Sequence, residues 1–364
     1  MKRISVSSRI SRAIQSPLDH ICQLGPLKLG HCTGRTSVAR ILITGAAGFV
    51  GRHFVRHFLE AGDEVLAVDS IVKGTGAVDP SAGWLLFDPR DFASFTFVRS
   101  DCREWFRAYP RESVDYAFHL AAIVGGREVI ERDPLAVAED LAIDASYWRW
   151  AQTARPSKTV CFSSSAAYPV RLQREGSYVL LRESMIDFDE YIGIPDMSYG
   201  WAKLTCEYLA RLACDRYGLR SVCYRPFSGY GVDQDETYPF PSICRRILAN
   251  VGAAEVSVWG SGRQARDFIH IDDCVRGVVS TMDCISDAGA LNLSTGRLVS
   301  FIELATMVAE ASGYSPRVVA DEGKPEGVFA RGGDTTKQRE YGFSAQVALE
   351  DGIRSALSWF AASR

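Results

Sequence analysis

The fold of this chain is decided by residues 40–59, RILITGAAGFVGRHFVRHFL. The apolar residues before Gly45 predict a short strand, and from Phe49 onward apolar residues recur at helical spacing. Between them Gly45, Gly48 and Gly51 stand in a G-x-x-G-x-x-G pattern. Glycine permits a tight turn, a close backbone approach to a pyrophosphate and close packing of a helix on a strand. The stretch therefore predicts a strand, a tight turn and a helix whose N-terminus can bind an anion.

An acidic residue ends the second predicted strand, residues 64–69. Asp69 follows Gly51 by 18 residues. A carboxylate at this place can accept both hydroxyls of a ribose and repels a 2′-phosphate, so the spacing favours NAD over NADP. Two alternatives stay open: Asp69 could only cap a turn, and Arg52 could bind a phosphate.

Strands and helices alternate along residues 40–225. The further predicted elements are strands at 95–99, 116–120 and 158–162, a helix at about 135–153 and a long helix from about Ser198. This alternation indicates βαβ units and a parallel sheet covered by helices on both faces. After Pro226 the pattern is irregular, and the last helix is predicted at 346–361.

Composition excludes several classes of protein. The 364 residues carry 41 basic and 44 acidic side chains, a net charge of −3, which argues against a general nucleic-acid binder. No apolar run approaches the ~18 residues of a membrane-spanning helix, and the start of the chain has no apolar secretion segment. The ten cysteines form no CxxC pair and no cluster with histidine, so we expect reduced thiols, no metal site and a cytoplasmic protein.

The N-terminal segment differs from the remainder in charge. Residues 1–40 carry seven basic side chains and one acidic side chain, which leaves a net charge of −9 on residues 41–364. Because residues 1–39 show no clear periodicity, we expect a basic extension outside the main fold. An acid-poor start rich in Arg and Ser is also typical of organelle transit peptides, which is the alternative.

Two further motifs carry side chains suited to proton transfer. Tyr199 and Lys203 stand four residues apart and therefore share one helix face. Tyrosine, with an ordinary pKa of ~10, is a poor base at neutral pH, but a lysine ammonium one turn away stabilises the phenolate, and the pair can act as general base and acid. A serine run, residues 163–165, follows the strand at 158–162, where open α/β sheets bind ligands. A serine hydroxyl there could hydrogen-bond the oxygen of a reacting alcohol or carbonyl.

Six motifs follow one another along the chain. They are T-G-x-x-G-F-x-G from Thr44, H-L-A-A at 119–122, S-S-S-x-x-Y-P from Ser163, Y-x-x-x-K from Tyr199, R-P-F-x-x-Y-G at 225–231 and R-D-F-I-H-x-D-D at 266–273. From Arg40 to the C-terminus the sequence thereby resembles the extended short-chain dehydrogenase/reductases that act on nucleotide sugars, the NAD-dependent epimerase/dehydratase family.

This resemblance implies an α/β fold, a Rossmann doubly wound parallel sheet with a smaller C-terminal α+β substrate-binding lobe. It places the NAD-binding Rossmann domain at 40–225 plus about 263–285, and the substrate-binding lobe at 226–262 and 286–364. The partners it implies are a nucleotide-diphosphate sugar and a second copy of the chain in a homodimer, with no nucleic acid and no membrane.

The resemblance also implies roles for single residues. Tyr199 is the acid/base, Lys203 is its partner, and Ser164, four residues before Tyr168, is the catalytic serine. The implied NAD contacts are Gly45, Ala47, Gly48, Phe49, Val50, Asp69, Asp101, Cys102, Leu120, Ala121, Ala122, Tyr199, Lys203 and Pro226. The implied substrate contacts are Ser165, Ser228, Arg266 and Arg331, with Arg266 on the diphosphate.

The residues after the catalytic serine narrow the reaction. Sugar 4,6-dehydratases resembling this chain place an acid there, whereas this chain has Ser165 and Ala166. The 3,5-epimerases and epimerase-reductases resemble it around Tyr168 and residues 124–126, but they carry a cysteine where Ala166 stands. C4 epimerisation, an isomerase reaction through a 4-keto intermediate, is therefore favoured, since Asp69 suits a retained NAD. The alternatives are an NAD(P)H-dependent nucleotide-keto-sugar reductase, a dehydratase without its acid, or a non-catalytic dinucleotide sensor.

The sequence leads to expectations at four further positions. His53 and His57 have metal-like spacing but no third ligand nearby, so we expect surface histidines. His119 is expected to be structural, at a strand end beneath the cofactor. The asparagine that the family resemblance leads us to expect near Asp140 is absent, so contacts to the nicotinamide can differ.

Overall fold

The large sheet of this protein is parallel throughout. The computed structural model describes residues 37–123 and 127–362, so residues 1–36 of the predicted extension and the motif at 124–126 lie outside the described residues. The sheet strands found in the described part are β1 (Arg40–Thr44), β2 (Glu64–Asp69), β3 (Phe95–Arg99), β4 (Tyr116–His119), β5 (Lys158–Phe162), β6 (Ser221–Pro226) and β10 (Asp287–Leu293). They lie in the order β10-β6-β5-β4-β1-β2-β3. Because β1 pairs with β2 on one side and with β4 on the other, the chain switches direction beside β1, which confirms the doubly wound fold.

Helices cover both faces of this sheet. The described helices are α1 (Phe49–Glu60), α2 (Cys102–Ala108), α3 (Arg127–Arg132), α4 (Pro134–Ala138), α5 (Asp140–Ala154), α6 (Met197–Tyr217), α7 (Pro239–Ala249), α8 (Ile271–Thr281), α9 (Phe301–Ala311), α10 (Thr336–Glu340) and α11 (Leu349–Ala362). On one face Phe54 of α1 and Val278 of α8 pack against the strands. On the other face Tyr147 of α5 and Cys206 of α6 do so. None of the described helices is both long and apolar enough to cross a membrane.

The single helix predicted at 135–153 is wrong, because the structure has two helices, α4 and α5, with a break at Glu139. The Glu139 amide donates to the carbonyl of Ala136, three residues back, so the hydrogen bond at the break is of the 3₁₀ type rather than the α-helical type. Immediately after the break the Asp140 carboxylate accepts the amide of Ile123 from the loop after β4. A contact with a distant loop therefore sets the start of α5.

The last helix begins at Leu349 rather than at residue 346. The amides of Gln346 and Val347 both donate to the buried carboxylate of Asp273 on α8, which holds these residues outside the helix. The strand predicted at 116–120 ends one residue early, at His119.

A smaller part of the molecule packs at one end of the large sheet. Its strands are β7 (Ser228–Tyr230), β8 (Glu255–Trp259), β9 (Ala265–His270), β11 (Leu298–Ser300), β12 (Arg317–Asp321) and β13 (Ala330–Arg331). β7, β9, β11 and β13 form one small sheet, while β8 pairs with β12. Phe240 of α7, Leu304 of α9 and Ile353 of α11 form its core.

Two strands pair in a different sheet from the one that the predicted lobes imply. The expectation placed 263–285 with the first lobe and 286–364 with the second, but β9 pairs within the small sheet and β10 pairs with β6 in the large one. The chain thus returns to the large sheet after building part of the small one.

Candidate active site

A cavity of about 670 Å³ lies at the carboxyl ends of the parallel strands, between the large sheet and the smaller part. The implied cofactor contacts that line it are Gly45, Gly48, Phe49, Val50, Asp69, Asp101, Cys102, Leu120, Ala121, Ala122, Tyr199, Lys203 and Pro226. The other implied site residues that line it are Ser164, Ser165, Ser228, Arg266 and Arg331. Ala47 is the exception, since it is fully buried behind the wall.

The turn after β1 leaves room for a pyrophosphate. Gly45 has a φ of 70°, and a Cβ on it would lie 2.6 Å from the amide nitrogen of Ala121. A Cβ on Gly51 would overlap the carbonyl oxygen of Gly45. No described side chain caps α1, which follows Gly48 directly, so its first amides can bind an anion. The residues present therefore fit a dinucleotide.

Asp69 ends β2 at the cavity wall. Its carboxylate accepts the amide of Ala47 at 3.0 Å and the amide of Ile71 at 2.8 Å. Burial raises the pKa of Asp69, an effect that these hydrogen bonds and Arg52 counteract. Two amide contacts leave lone pairs on the carboxylate for a ligand, because each oxygen can accept more than one hydrogen bond.

Arg52 points away from the cavity. Its guanidinium is buried, lies 3.0 Å from the Asp233 carboxylate and donates to the carbonyl of Ala47 at 2.7 Å. The structure thus gives no support to the alternative in which Arg52 binds a phosphate, since its donors already hold the glycine turn. The guanidinium instead ties the turn after β1 to the segment after β7.

The prediction of a surface His53 is wrong. Its side chain is buried, and Nε2 lies 2.9 Å from the carboxylate of Asp233. Burial alone would raise the pKa of Asp233, but the hydrogen bonds from His53 and Arg52 hold it below its ordinary value. A partner 180 residues away along the chain therefore buries this histidine. Among the described side chains no group of three or more His, Cys, Asp or Glu could hold a metal ion.

Close backbone packing brings the serine run and α6 together. Ser164 follows β5, and its Oγ accepts the amide of Ala166 at 3.1 Å. The carbonyl of Ala166 accepts the amide of Asp196 at 3.0 Å and lies so close to Gly200 that a side chain there would overlap it. Tyr199, beside Gly200, therefore faces the same cavity as Ser164.

A buried ion pair holds the serine run and α6 in place. Arg225 donates to both carboxylate oxygens of Glu207 on α6, at 2.8 and 2.6 Å. Glu207 also accepts the hydroxyl of Ser163, the neighbour of the catalytic serine predicted from the sequence. Helix α6 is thus locked to β5 and β6 one turn after Lys203.

Lys203 is a buried cation with acidic neighbours. Its Nζ lies 5.6 Å from the centre of the Tyr199 ring. Burial alone would lower the pKa of Lys203, but negative charge on Tyr199, Asp140 and Asp144 raises it above its ordinary value. The side chain therefore stays an ammonium ion at neutral pH and can stabilise a phenolate.

The two acidic neighbours come from consecutive turns of α5. Burial raises the pKa of Asp140 to about 6. Its Oδ2, like Oδ2 of Asp144, is buried without a partner among the described residues. The other oxygen of Asp144 lies 3.1 Å from Nε2 of His119. Asp140 is thus the group near Lys203 best placed to gain or lose a proton.

His119 is enclosed at the end of β4. Its Nδ1 lies 2.9 Å from the hydroxyl of Thr44, and its ring stacks on Tyr147. Burial lowers the pKa of His119, which favours the neutral ring. These contacts support the structural role predicted for it.

Two arginines stand on the opposite wall of the cavity. Arg266 on β9 and Arg331 on β13 are partners in register. The carboxylate of Asp267, fully buried, accepts the amides of Thr295 and Gly296 and so fixes the loop beside them. Arg331 donates to Asp196 at 2.7 Å and to Gln173 at 2.6 Å, which links this wall to the start of α6.

Three further side chains of the cavity were missed by sequence reasoning. Tyr238, Arg246 and Trp259 all line it. They stand in the region after Pro226 that the sequence analysis described as irregular, and no site role was predicted for them. The one available signal is the Tyr-Pro pair at Tyr238, since proline is frequent in the first turn of a helix.

Comparisons with known proteins identify the family of this chain. The sequence model of the NAD dependent epimerase/dehydratase family matches residues 41–293. A dTDP-4-dehydro-6-deoxy-D-allose reductase of Streptomyces bikiniensis is 28% identical over 332 residues, 90% of this chain and 96% of that relative. A UDP-glucose 4-epimerase of Thermotoga maritima, solved with UDP-glucose, superposes with a TM-score of 0.74 at 25% identity, covering 89% of this chain and 99% of the other.

A third similarity concerns the fold alone. A UDP-glucuronic acid 4-epimerase of Bacillus cereus, solved with UDP-glucuronic acid and NAD, has a TM-score of 0.73 at 23% identity and covers 89% of this chain and 100% of the other. The family match extends over more than half of the sequence and includes the glycine turn, the serine run and the Tyr199–Lys203 pair. The chain therefore belongs to the NAD-dependent epimerase/dehydratase family.

Proposed function

We propose that this protein is a nucleotide-sugar 4-epimerase. The observation that carries the proposal is the composition of the cavity around Ser164, Tyr199 and Lys203. Next to them stand Ser165 and Ala166, and neither side chain can remove a proton from carbon. The site is therefore suited to hydride transfer coupled to proton transfer at a hydroxyl.

The proton is handled by residues of α6 and the serine run. Tyr199, as the phenolate, takes the proton of the sugar C4 hydroxyl, and the Ser164 hydroxyl donates a hydrogen bond to the same oxygen. Lys203 stabilises the phenolate, and Asp140 and Asp144 keep Lys203 protonated. NAD, when bound, supplies the hydride acceptor and donor. Tyr199 returns the proton after the 4-keto sugar has presented its other face.

Different residues of the cavity are suited to bind NAD and the substrate. The amides at the start of α1 suit a pyrophosphate, and Asp69 suits the adenosine ribose. Arg266 is suited to the substrate diphosphate, because a guanidinium can pair with two oxygens at once. With the diphosphate held, the sugar can turn while the nucleotide stays in place.

A reductase is the second candidate. It is favoured by the similarity to the dTDP-4-dehydro-6-deoxy-D-allose reductase, which aligns with 90% of this chain. The same Tyr199, Lys203 and Ser164 would protonate the oxygen of a keto sugar. The two functions differ in whether the dinucleotide is consumed.

The deciding experiment is turnover without added cofactor. Purified protein is incubated with a panel of UDP-, dTDP- and GDP-hexoses, and products are identified by NMR. The epimerase proposal expects interconversion at C4 with no added dinucleotide, and Tyr199→Phe serves as the inactive control. In a parallel assay the protein is given a nucleotide 4-keto-6-deoxy sugar with NADH or NADPH. Stoichiometric oxidation of the dinucleotide as this ketone is reduced, with no interconversion of the hexoses, would establish the reductase instead.

We further propose a cytoplasmic homodimer assembled through α5 and α6. Leu141 on α5 and Trp201 and Tyr208 on α6 are large apolar side chains exposed to solvent. Trp201 and Tyr208 are seven residues apart and share one face of α6. Light scattering coupled to size exclusion tests the dimer, and a monomer at micromolar concentration would contradict it.

A further inference from the structure

Tyr238 is a second tyrosine in the cavity that contains Tyr199. It directly precedes α7, and it lines the same cavity as Tyr199 and Lys203. Its backbone groups are in use, because its amide donates to Asp235 at 3.1 Å and its carbonyl accepts the amide of Ser242 at 3.1 Å. Its hydroxyl, by contrast, makes no hydrogen bond to any described residue. This side chain has a polar group in the cavity that the protein itself does not use.

The segment that carries Tyr238 is anchored at its start. Asp233, five residues earlier, is buried between Arg52 and His53 of α1. The next residue, Gln234, donates through its side-chain amide to the carbonyl of Gly229 at 2.9 Å. Tyr238 is therefore attached to a segment whose place is fixed relative to the glycine turn before any ligand binds.

The surroundings of the hydroxyl keep it protonated. Burial raises the pKa of Tyr238, and negative charge on Tyr199 raises it further, while Lys203 acts in the opposite direction. Tyr238 lines the same cavity as Tyr199 and Lys203, the pair proposed to transfer the proton. At neutral pH the hydroxyl is thus a hydrogen-bond donor rather than a base.

A ligand that fills this part of the cavity removes water from the hydroxyl. If the ligand offers no acceptor, a hydrogen bond is lost and binding weakens. A sugar oxygen restores that bond, whereas a methyl or methylene group does not. We propose that the Tyr238 hydroxyl donates a hydrogen bond to a sugar oxygen beside the carbon whose hydroxyl Tyr199 deprotonates, an inference that rests on the function proposed above.

Tyr238 is in this view a residue that determines which sugars are accepted. Sites built around a hydrogen bond reject analogues that lack the bonding group, since a polar group of the protein is then left without a partner. A nucleotide sugar that lacks this oxygen should therefore bind more weakly than one that has it. The nucleoside diphosphate portion lies on Arg266 and should not be affected.

The test removes only the hydroxyl. Tyr238→Phe and wild type are titrated by calorimetry with UDP-glucose, dTDP-glucose and GDP-mannose, and with UDP, dTDP and GDP alone. For the best-bound nucleotide sugar we expect an affinity loss of about 10- to 100-fold in Tyr238→Phe, with less than about twofold change for the matching diphosphate. Tyr191→Phe, the same change at an exposed tyrosine, should match wild type throughout.

The outcomes separate this inference from the proposed function. Unchanged affinity for the nucleotide sugar, or an equal loss for the diphosphate alone, overturns the role of Tyr238 and leaves the proposed function standing. No binding of any nucleotide sugar by wild type overturns both. The thermal midpoint should be the same in Tyr238→Phe and wild type, and a fall of several degrees would show that the hydroxyl serves the fold instead.

Discussion

The cavity has two sides that are built in different ways. The dinucleotide side, lined by Gly45, Asp69 and Ala121, is formed by backbone turns at the ends of neighbouring strands. The proposed substrate side, lined by Tyr238 and Arg266 among others, is formed by side chains from separate segments of the smaller part. The first side is determined by local sequence, and the second by long-range packing. Binding of a common cofactor is thus encoded locally, whereas the choice of substrate depends on the tertiary fold.

The largest effect is expected where the two sides meet, at Tyr199. Tyr199→Phe removes the hydroxyl that exchanges the proton, so turnover should fall about 1000-fold while NAD binding and the thermal midpoint stay the same. The measurement is the initial rate with the best nucleotide sugar of the panel. Tyr217→Phe changes an exposed tyrosine at the end of the same helix and should keep full activity. Substantial turnover by Tyr199→Phe would remove Tyr199 from its proposed role.

The two sides of the cavity are connected through Asp233, whose buried carboxylate pairs with Arg52 and His53 of α1. Asp233→Ala leaves Arg52 and His53 buried without their carboxylate, so the free energy of unfolding should fall by about 3 kcal/mol. Urea denaturation measures it. Glu175→Ala removes the exposed ion pair with Arg263 and should cost less than about 1 kcal/mol. Equal losses in the two variants would show that the buried cluster does not hold the sides together.

The raised pKa of Asp140, a buried neighbour of Lys203, can be tested through the pH dependence of stability. Burial raises its pKa from 3.8 to about 6, so the folded chain binds this proton more tightly than the unfolded chain. Ionisation of Asp140 therefore lowers the free energy of unfolding as the pH rises from about 4 to about 6. Above that range the free energy of unfolding decreases no further from this cause. In Asp140→Asn this pH-dependent decrease in the free energy of unfolding is absent, because an asparagine side chain does not ionise.

The expected signature is a pH-dependent difference between Asp140→Asn and wild type. The free energy of unfolding of the variant, relative to wild type, should increase by about 1 to 2 kcal/mol between pH 5 and pH 8. Asp187→Asn alters an exposed carboxyl, and its difference from wild type should be constant over this range. A constant difference for Asp140→Asn as well would contradict the assignment.

The smallest effect concerns cofactor choice at Asp69. Asp69→Asn replaces one acceptor oxygen by an amide group, which cannot accept the amide of Ala47 or Ile71 and no longer repels a 2′-phosphate. NAD affinity should fall about tenfold, and the preference for NAD over NADP should narrow. Fluorescence titration with both dinucleotides measures this, and an unchanged preference would argue against the ribose role.

The sequence predicted those parts of the fold whose causes are local. The strand, turn and helix from Arg40 to Glu60 follow from apolar periodicity and glycine spacing, and Asp69 follows from its position at a strand end. The break at Glu139 was not predictable, because its cause is the amide of Ile123 in a distant loop. The burial of His53 likewise depends on Asp233.

The candidate site divides in the same manner. Residues within motifs, such as Ser164 and Arg266, were placed in the cavity as expected. Tyr238 and Arg246 were missed, because the apolar spacing of Phe240, Ile243 and Ile247 predicts a helix but does not show that polar residues of this segment reach the cavity. Arg246, for example, is held by the carbonyl of Ser257 on β8 at 2.9 Å.

The return of the chain to β10 has a consequence for folding. β10 covers the edge of β6, whose residues Cys223 and Tyr224 are fully buried. A chain that stopped before residue 287 would expose that edge with unpaired backbone groups, which is the geometry that promotes aggregation. During synthesis β7 and β9 of the small sheet are made before β10, whereas β11 and β13 follow it. A fragment that ends before residue 287 should therefore associate rather than remain monomeric.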